Sequence, residues 1–224
     1  MRVGGSAAGA AAASADILGP LRLLLVLAAA AAASLTPQAG AACPSIVGRQ
    51  RWGAAESQAV RYIAFPVPEV VVGHTAGAAC SSLTTCSREV HTIQQQHRSQ
   101  DFGDIGYSFL IGGDGLVYEG RGWHKQGAHT YGYNKRAIGV AFLGDYSDTP
   151  ASAGQMAALR DLIRCGVELG ELGEDVRLYG QRQVQSTESP GLALYQQLQD
   201  LPEWVERVPA DPAVDRVMWR SKAN

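Results

Sequence analysis

Apolar residues recur along the chain with two periods, one typical of strands and one typical of helices. Val70, Val71 and Val72 form an uninterrupted β-branched run, which is typical of a strand buried on both faces. Residues 112–115 (Gly-Gly-Asp-Gly) separate two short apolar runs and predict a hairpin. The predicted strands are 60–65, 69–73, 107–111, 116–119, 138–143 and 176–179, and the predicted helices are 84–97, 156–169 and 192–201.

The order of these elements predicts the fold class. Ser152 caps the second predicted helix, and Pro202 ends the third. Because strands and helices alternate around one hairpin, we expect an α/β domain with a mixed β-sheet flanked by helices on both faces. We place this domain at residues 43–207, followed by a loose, polar, proline-containing tail at 208–224.

The first 42 residues differ in composition from the rest. Residues 21–33 are apolar except for Arg22, and Ala39-Gly40-Ala41 is similar to a signal-peptidase cleavage site. The apolar run is shorter than the roughly 20 residues that a membrane span needs. These features predict a signal peptide at 1–42 and a secreted, extracellular protein. The alternative is a non-cleaved signal anchor or a mis-chosen start codon.

Charge and size narrow the function classes. The formal net charge is −2, and loss of Arg2, Arg22 and Asp16 with the signal peptide leaves 17 basic and 20 acidic residues, a charge of −3. A mildly acidic protein has no electrostatic reason to bind nucleic acid. The remaining 182 of the 224 residues suffice for one domain with a substantial core.

Four cysteines follow the predicted signal peptide, and this even number predicts two disulfides. Three pairings are possible. Cys80 and Cys86 bracket a short loop and are the natural local pair, in which case Cys43 joins Cys165 on a helix. Zinc binding by the cysteines is the alternative, but the chain has no CxxC spacing to favour it.

Among the five histidines, His74 is the most suggestive, because it ends the buried valine run, and ligands collect at the carboxyl ends of sheet strands. His129 lies in a glycine- and tyrosine-rich stretch, 127–133, that is typical of a loop over a cleft. A structural role is the alternative for both. The chain has no GxSxG, P-loop or GxGxxG motif. The residues alone therefore predict a cleft near His74, Tyr107 and His129.

Five segments together resemble the peptidoglycan recognition protein family. They are 72–77 (Val-Gly-His-Thr-Ala-Gly), 104–112 (Asp-Ile-Gly-Tyr-Ser-Phe-Leu-Ile-Gly), 114–123 (Asp-Gly-Leu-Val-Tyr-Glu-Gly-Arg-Gly-Trp), 127–129 (Gly-Ala-His) and 186–191 (Ser-Thr-Glu-Ser-Pro-Gly). The likeness extends in order from Cys43 to Trp204. It is most similar to short, single-domain insect sensors upstream of the Toll pathway. The resemblance implies the amidase-like fold of this family and the disulfides Cys43–Cys165 and Cys80–Cys86.

The family contains zinc-dependent N-acetylmuramoyl-L-alanine amidases and non-catalytic binders. The amidases hold zinc with two histidines and a cysteine, beside a tyrosine. By resemblance His74 matches the first histidine and Tyr107 the tyrosine, but Gln181 and Ser189 replace the second histidine and the cysteine. A neutral amide and a hydroxyl are poor zinc ligands compared with imidazole and thiolate. The resemblance therefore implies a degenerate zinc site, no tightly bound cofactor and no catalysis.

The ligand-binding residues implied by the resemblance form a groove for the muramyl-peptide stem. Specificity signals conflict within it. Asp101-Phe102 is closer to the Asn-Phe of family members that bind lysine-type stems than to the Gly-Trp of diaminopimelate binders, whereas Arg121 matches an arginine linked to the extra diaminopimelate carboxylate. We lean to lysine-type stems, with binding of both types open. The groove residues are His74, Thr75, Asp101, Phe102, Tyr107, Arg121, Trp123 and His129, with core packing as the alternative for Trp123.

The resulting hypothesis is an extracellular pattern receptor that binds peptidoglycan and signals to a serine-protease cascade through protein partners, without binding nucleic acid or membrane. A peptidoglycan hydrolase is the second hypothesis, either a zinc amidase with unusual ligands or an enzyme with another cleavage. A secreted structural domain with a vestigial groove is the third.

Overall fold

The computed structural model describes residues 43–58 and 60–209. The predicted signal peptide, 1–42, and most of the predicted tail lie outside the described residues. The strands are β1 (Ile46–Val47), β2 (Val67–His74), β3 (Phe109–Ile111), β4 (Val117–Glu119), β5 (Ala137–Phe142) and β6 (Leu172–Gly180), and the helices are α1 (Leu83–Ser99), α2 (Ala153–Glu168), α3 (Gln181–Val184) and α4 (Leu192–Leu198).

The strands form one mixed sheet in the order β1-β4-β3-β5-β2-β6. Only the β3–β4 hairpin is antiparallel, and all other neighbours are parallel. All six residues of β5 are buried, as expected for a central strand covered on both faces. The predicted α/β fold with a mixed sheet is confirmed.

The two long helices cover opposite faces of the sheet. Leu159 and Leu162 of α2 pack in one core with Val72 and Phe109. Residues of α1 pack in a second core on the other face, with Leu110 and Ala141 as the sheet contribution; its buried α1 side chains are Cys86, Val90 and Ile93. Each face takes alternate residues of the strands, because successive side chains of a strand point to opposite sides.

Local sequence explains where the long helices begin. At the start of α2, the Ser152 side chain accepts a hydrogen bond from the Gln155 N–H, and the Gln155 side chain accepts one from the Ser152 N–H. Ser82 and Thr85 form the same capping box at the start of α1. Two disulfides fix the flanking chain: Cys43 is bonded to Cys165 of α2, and Cys80 to Cys86 of α1. This is the pairing that the family resemblance implies.

Residues 60–65 are not a strand of the sheet, so this prediction was wrong. Their only bridge in the described structure joins Tyr62 to Lys125. Ile63 is buried while Tyr62 and Phe65 are exposed, so the apolar residues that suggested a strand include only one that points inward with its two aromatic neighbours outside. The segment pairs with a loop instead, because the Ile63 N–H donates to the carbonyl of His124.

Other differences concern short or edge elements. β1 and α3 were not predicted, because two and four residues are too few to establish a period. β6 begins four residues before its predicted start, and its exposed residues Glu174 and Asp175 conceal it in the sequence. Val208, at the predicted start of the tail, packs against the core. No helix in the described ranges is both long and apolar enough to cross a membrane.

Candidate ligand-binding cleft

His74 ends β2 and is almost completely buried, with 7% of its surface exposed. Its Nδ1 accepts a hydrogen bond of 3.1 Å from the backbone N–H of Tyr146, and the carboxylate of Asp145 lies 3.7 Å from the same nitrogen. Burial lowers the pKa of His74, and Asp145 partly opposes that effect. The ring is therefore neutral at pH 7, with its proton on Nε2.

Gln181 and Ser189 lie side by side above Gly73, the residue before His74. A Cβ atom at position 73 would lie 2.7 Å from Gln181 Oε1 and 2.9 Å from Ser189 Oγ, so a larger residue there would displace these two side chains. Ser189 Oγ accepts a hydrogen bond of 3.0 Å from the His74 N–H. Gln181 Nε2 donates to the carbonyl of His129 at 2.8 Å. The structure thus brings together three positions that the sequence separates by up to 115 residues.

These three residues do not fit a zinc ion. His74 is the one imidazole among them, and the amide of Gln181 presents its N–H groups to the loop around His129. Ser189 offers a hydroxyl where zinc favours a thiolate. Within the described ranges, no group of three or more histidine, cysteine, aspartate or glutamate side chains is placed to hold a metal ion.

His129 lies in the loop between β4 and β5, and its ring packs on the strand. A side chain at position 139 of β5 would overlap the imidazole, so the glycine there allows the ring to pack directly on the strand. Burial lowers the pKa of His129 to about 4. Asn134 Oδ1 accepts from the backbone N–H groups of both His129 and Thr130, at 2.8 and 2.9 Å. The loop is therefore held in one conformation at both its ring and its backbone.

A cleft of about 290 Å³ opens beside this loop, and we call it the Phe102 cleft. The exposed ring of Phe102 forms one wall, with its centroid 5.2 Å from that of His97 on α1. Asp101 and Arg61 are exposed at the rim. The lining residues are Arg61, Asp101, Phe102, Arg121, Gln126, Gly127, Ala128 and Asn134.

Arg121 lines this cleft and also joins the loops around it through hydrogen bonds. Its guanidinium donates to three backbone carbonyls, those of Ile105, Gln126 and Phe102, at 2.7, 2.7 and 2.8 Å. Burial is the main effect that lowers the pKa of Arg121. Three of its five N–H groups are thus committed to holding the loops around the cleft.

Tyr107 and Thr75 each contact one part of the site. The Tyr107 ring centroid is 5.6 Å from that of His97, whose ring also contacts Phe102, and burial raises the pKa of the Tyr107 hydroxyl. Thr75 is half-buried next to His74, and its hydroxyl accepts a hydrogen bond of 3.0 Å from the Gly144 N–H.

Trp123 lies elsewhere. Its ring centroid is 4.5 Å from that of Phe109, and the ring packs against Gly166 of α2, in the core on the α2 face. The His129 ring packs on Gly139, which faces the α1 side of the sheet like Ala141, because the two residues are two positions apart on β5. Trp123 thus packs on the other face of the sheet from the His129 ring, although it lines a second pocket together with Arg121.

The sequence analysis did not single out two side chains that line the Phe102 cleft. Arg61 comes from the segment 60–65, which was predicted to be a strand, so its charge was given no functional interpretation. Asn134 follows the loop residues 127–133 directly, and an asparagine next to a glycine-rich turn is a known signal for side-chain-to-backbone bonding.

Residues 64–192 match the family model described as N-acetylmuramoyl-L-alanine amidase. Peptidoglycan-recognition protein SA of Drosophila melanogaster is 45% identical over 164 residues, which cover 73% of this chain and 81% of the relative. The chain belongs to the peptidoglycan recognition protein family.

Solved structures of this family have the same fold. Bumblebee PGRP-SA superposes with a TM-score of 0.73 at 43% identity, covering 74% of this chain and 100% of that one. Peptidoglycan recognition protein LE, solved in complex with tracheal cytotoxin, a monomeric diaminopimelic acid-type peptidoglycan, superposes with a TM-score of 0.71 at 37% identity, covering 72% and 96% of the two chains. The family resemblance found in the sequence is confirmed.

Proposed function

We propose that this peptidoglycan recognition protein binds the muramyl-peptide stem of bacterial peptidoglycan and does not hydrolyse it. One observation carries the proposal. The positions that hold the second histidine and the cysteine of the zinc amidases contain Gln181 and Ser189, and both side chains form hydrogen bonds inside the protein. An amidase needs a metal to polarise the amide and activate water, and these side chains do not provide for one.

Binding is supported by what remains intact around the degenerate zinc site. The Phe102 cleft combines an aromatic wall with polar groups of both charges, which suits a ligand made of sugar, amide and charged side chains. The loops around it are fixed by Arg121 and Asn134, so the cleft is formed before a ligand arrives.

The two disulfides support a secreted receptor. Two disulfides persist in an oxidising, extracellular environment and are rare in the cytosol. We infer that the bound protein passes its signal to extracellular partners of a serine-protease cascade, as the likeness to insect sensors of the Toll pathway implies.

For the stem peptide we infer a preference for lysine over diaminopimelate. Asp101-Phe102 lines the cleft, and the Asp101 carboxylate attracts an ammonium group but repels the second carboxylate that diaminopimelate has and lysine lacks. Arg121, the residue that the resemblance links to the diaminopimelate carboxylate, has three of its donors engaged by backbone carbonyls. That commitment supports a weaker contribution of Arg121 to binding a second carboxylate.

The test is co-sedimentation of the purified protein with insoluble lysine-type and diaminopimelate-type peptidoglycan, with and without zinc. Released stem peptides are measured in the same samples by mass spectrometry. We expect binding, stronger for the lysine type, without release. Zinc-dependent release of peptides that begin with L-alanine would show an amidase instead, and absence of binding to both polymers would leave a structural domain.

A further inference from the structure

A second pocket, of about 370 Å³, opens next to Trp123, and we call it the Trp123 pocket. Phe109 is buried in its wall, and the half-buried ring of Trp123 packs on Phe109 at a centroid distance of 4.5 Å. The ring of Tyr62 also lines the pocket and is 77% exposed. Two accessible aromatic rings beside a cavity of this size offer apolar surface to a ligand.

Two charged side chains of this pocket have no partner in the part of the chain that the structure describes. They are the carboxylate of Glu119 and the ammonium group of Lys125, and both residues are half-buried. The backbone of Lys125 is fixed, because it forms an antiparallel bridge with Tyr62. The pocket can therefore offer an acceptor and a cationic donor to a ligand without breaking a bond of the folded protein.

A small depression connects the Trp123 pocket to the Phe102 cleft. The depression shares Arg61 and Arg121 with the Phe102 cleft, and it shares Arg121 and Lys125 with the Trp123 pocket. The backbone along this row is fixed, since the Gln126 N–H donates to the carbonyl of Arg61 at 2.8 Å. A ligand that extends beyond the Phe102 cleft can therefore continue into the Trp123 pocket.

The Trp123 pocket lies at the opposite end of the strands from His74. His74 ends β2 and is in register, through β5, with Ile111 at the end of β3. Phe109 begins β3 and pairs with Glu119, and both line the Trp123 pocket. The family resemblance places the bond between muramic acid and L-alanine near His74. The Trp123 pocket is therefore on the side from which the far end of a bound stem leaves.

Peptidoglycan continues beyond the third residue of a stem when it is cross-linked. The alanine that follows this residue then acylates the side-chain amine of a neighbouring stem. A stem with its lysine at Asp101-Phe102 keeps its own ammonium group free and leads through its alanine into that neighbour. We propose that the Trp123 pocket binds the neighbouring stem, so that this receptor recognises cross-linked peptidoglycan. The inference rests on the proposed function and extends it to a second subsite.

The chemistry of the Trp123 pocket suits a peptide better than the glycan. The neighbouring stem has free carboxylates, which the Lys125 ammonium group can bind, and amide N–H groups, which can donate to Glu119. Its alanine methyl and lysine methylene groups can pack against the rings of Tyr62 and Trp123. N-acetylated sugars are neutral, so a glycan in this pocket would leave Lys125 without an anionic partner.

The experiment is isothermal titration of three soluble lysine-type ligands into the full chain. The first is a single muramyl tetrapeptide, the second has two such units joined by the peptide cross-link, and the third has two units joined only through the glycan. The last two offer the same number of stems, so any statistical advantage of a second stem is equal in both.

Two pairs of variants test the pocket. Tyr62→Ala removes the exposed ring, whereas Tyr62→Phe keeps it. Lys125→Gln removes the unpaired charge, and Arg88→Gln is its control, because Arg88 is an exposed arginine of α1 that lines none of these three pockets. We expect all four variants to melt near the wild-type temperature, since none of these side chains has a partner among the described residues.

The wild type should bind the cross-linked ligand about tenfold more tightly than the glycan-linked one, because the second contact is intramolecular. Tyr62→Ala should weaken binding of the cross-linked ligand about fivefold, and Lys125→Gln about threefold. Tyr62→Phe and Arg88→Gln should change it by less than about twofold. Binding of the single-stem ligand should be the same in all five proteins.

The outcomes separate the inference from the function on which it rests. Equal affinity of the wild type for the two double ligands would overturn the inference and leave the receptor function standing. The same holds if Tyr62→Ala weakens the single-stem and cross-linked ligands equally. A gain of affinity for the glycan-linked ligand that depends on Tyr62 would assign the pocket to the glycan instead. If the wild type binds none of the three ligands, both the inference and the proposed function fail.

Discussion

The side-chain amide of Gln181 donates a hydrogen bond of 2.8 Å to the backbone carbonyl of His129. Gln181, which the resemblance matches to a zinc-binding histidine of the amidases, therefore joins the start of α3 to the loop that borders the Phe102 cleft. A histidine bound to zinc through one ring nitrogen would have a single N–H left, whereas the amide has two, and its nitrogen also lies 3.4 Å from the Thr130 hydroxyl. Glutamine at this position thus contacts the loop at both His129 and Thr130.

Gln181→Ala should lower the free energy of unfolding by about 1–3 kcal/mol, because it leaves the carbonyl of His129 without its side-chain donor. Urea denaturation measures this loss. Gln96→Ala is the matched control, since Gln96 is an exposed glutamine of α1 whose side chain has no partner among the described residues. Equal stability of the two variants would contradict the role given to Gln181.

The same variant should also weaken binding to peptidoglycan. Gly127, Ala128 and Asn134 of the cleft belong to the loop that Gln181 holds, so a looser loop must be ordered again when the ligand binds. We expect weaker binding of lysine and diaminopimelate stems alike. A change confined to one stem would contradict this interpretation.

Restoring imidazole and thiolate should restore zinc affinity. We expect Gln181→His combined with Ser189→Cys to bind zinc and to melt at a higher temperature in its presence, since a ligand of the folded state stabilises that state. The wild type should show no such shift. Adding His74→Ala to the double variant should abolish the effect, and chelator should reverse it. A zinc-dependent shift in the wild type would contradict the degenerate site.

The sequence was sufficient for those features that short-range patterns encode. The valine run before His74, the Ser152 cap and the helical stripe of α1 each predicted an element that is present. Contacts between distant segments were not accessible in this way. Nothing in the sequence indicates that Arg121 donates to three carbonyls, or that Trp123 packs under α2, because both depend on how the loops return to the sheet.

The strand prediction at residues 60–65 was wrong because it, too, depended on a contact with a distant segment. A strand and an extended loop can both contain a run of apolar residues over six positions, and only the position of a hydrogen-bonding neighbour separates them. That neighbour is the loop at His124, which the sequence does not identify. The error concealed Arg61, which lines the Phe102 cleft.

The two disulfides should contribute unequally to stability. Cys43 and Cys165 are 122 residues apart, whereas Cys80 and Cys86 are six apart. Loop-closure entropy predicts a loss of about 5 kcal/mol when the long-range bond is removed and about 2 kcal/mol for the local one. Denaturation of the two alanine pairs, Cys43→Ala with Cys165→Ala and Cys80→Ala with Cys86→Ala, measures the difference. A larger loss for the local pair would show that α1 packing, not chain entropy, dominates.

Stability should fall as the pH decreases below neutrality, and His129 should be the main cause. Burial lowers its pKa from the ordinary value of 6.5 to about 4, and burial also lowers the pKa of His74 and His97. Between pH 6.5 and about pH 4, the unfolded chain binds a proton at His129 that the folded chain does not bind, so protonation favours unfolding. The stability present above pH 6.5 should decline by up to about 3 kcal/mol for His129 alone as the pH falls to 4.

Two measurements check this expectation. Nuclear magnetic resonance should show the His129 imidazole neutral at pH 5, and urea denaturation should give a steeper loss of stability with acid for the wild type than for His129→Gln. Comparing slopes instead of absolute stabilities removes the packing cost of the substitution on Gly139. A His129 ring that titrates near pH 6.5, or parallel slopes for the two proteins, would mean that the ring is open to water and not seated on β5.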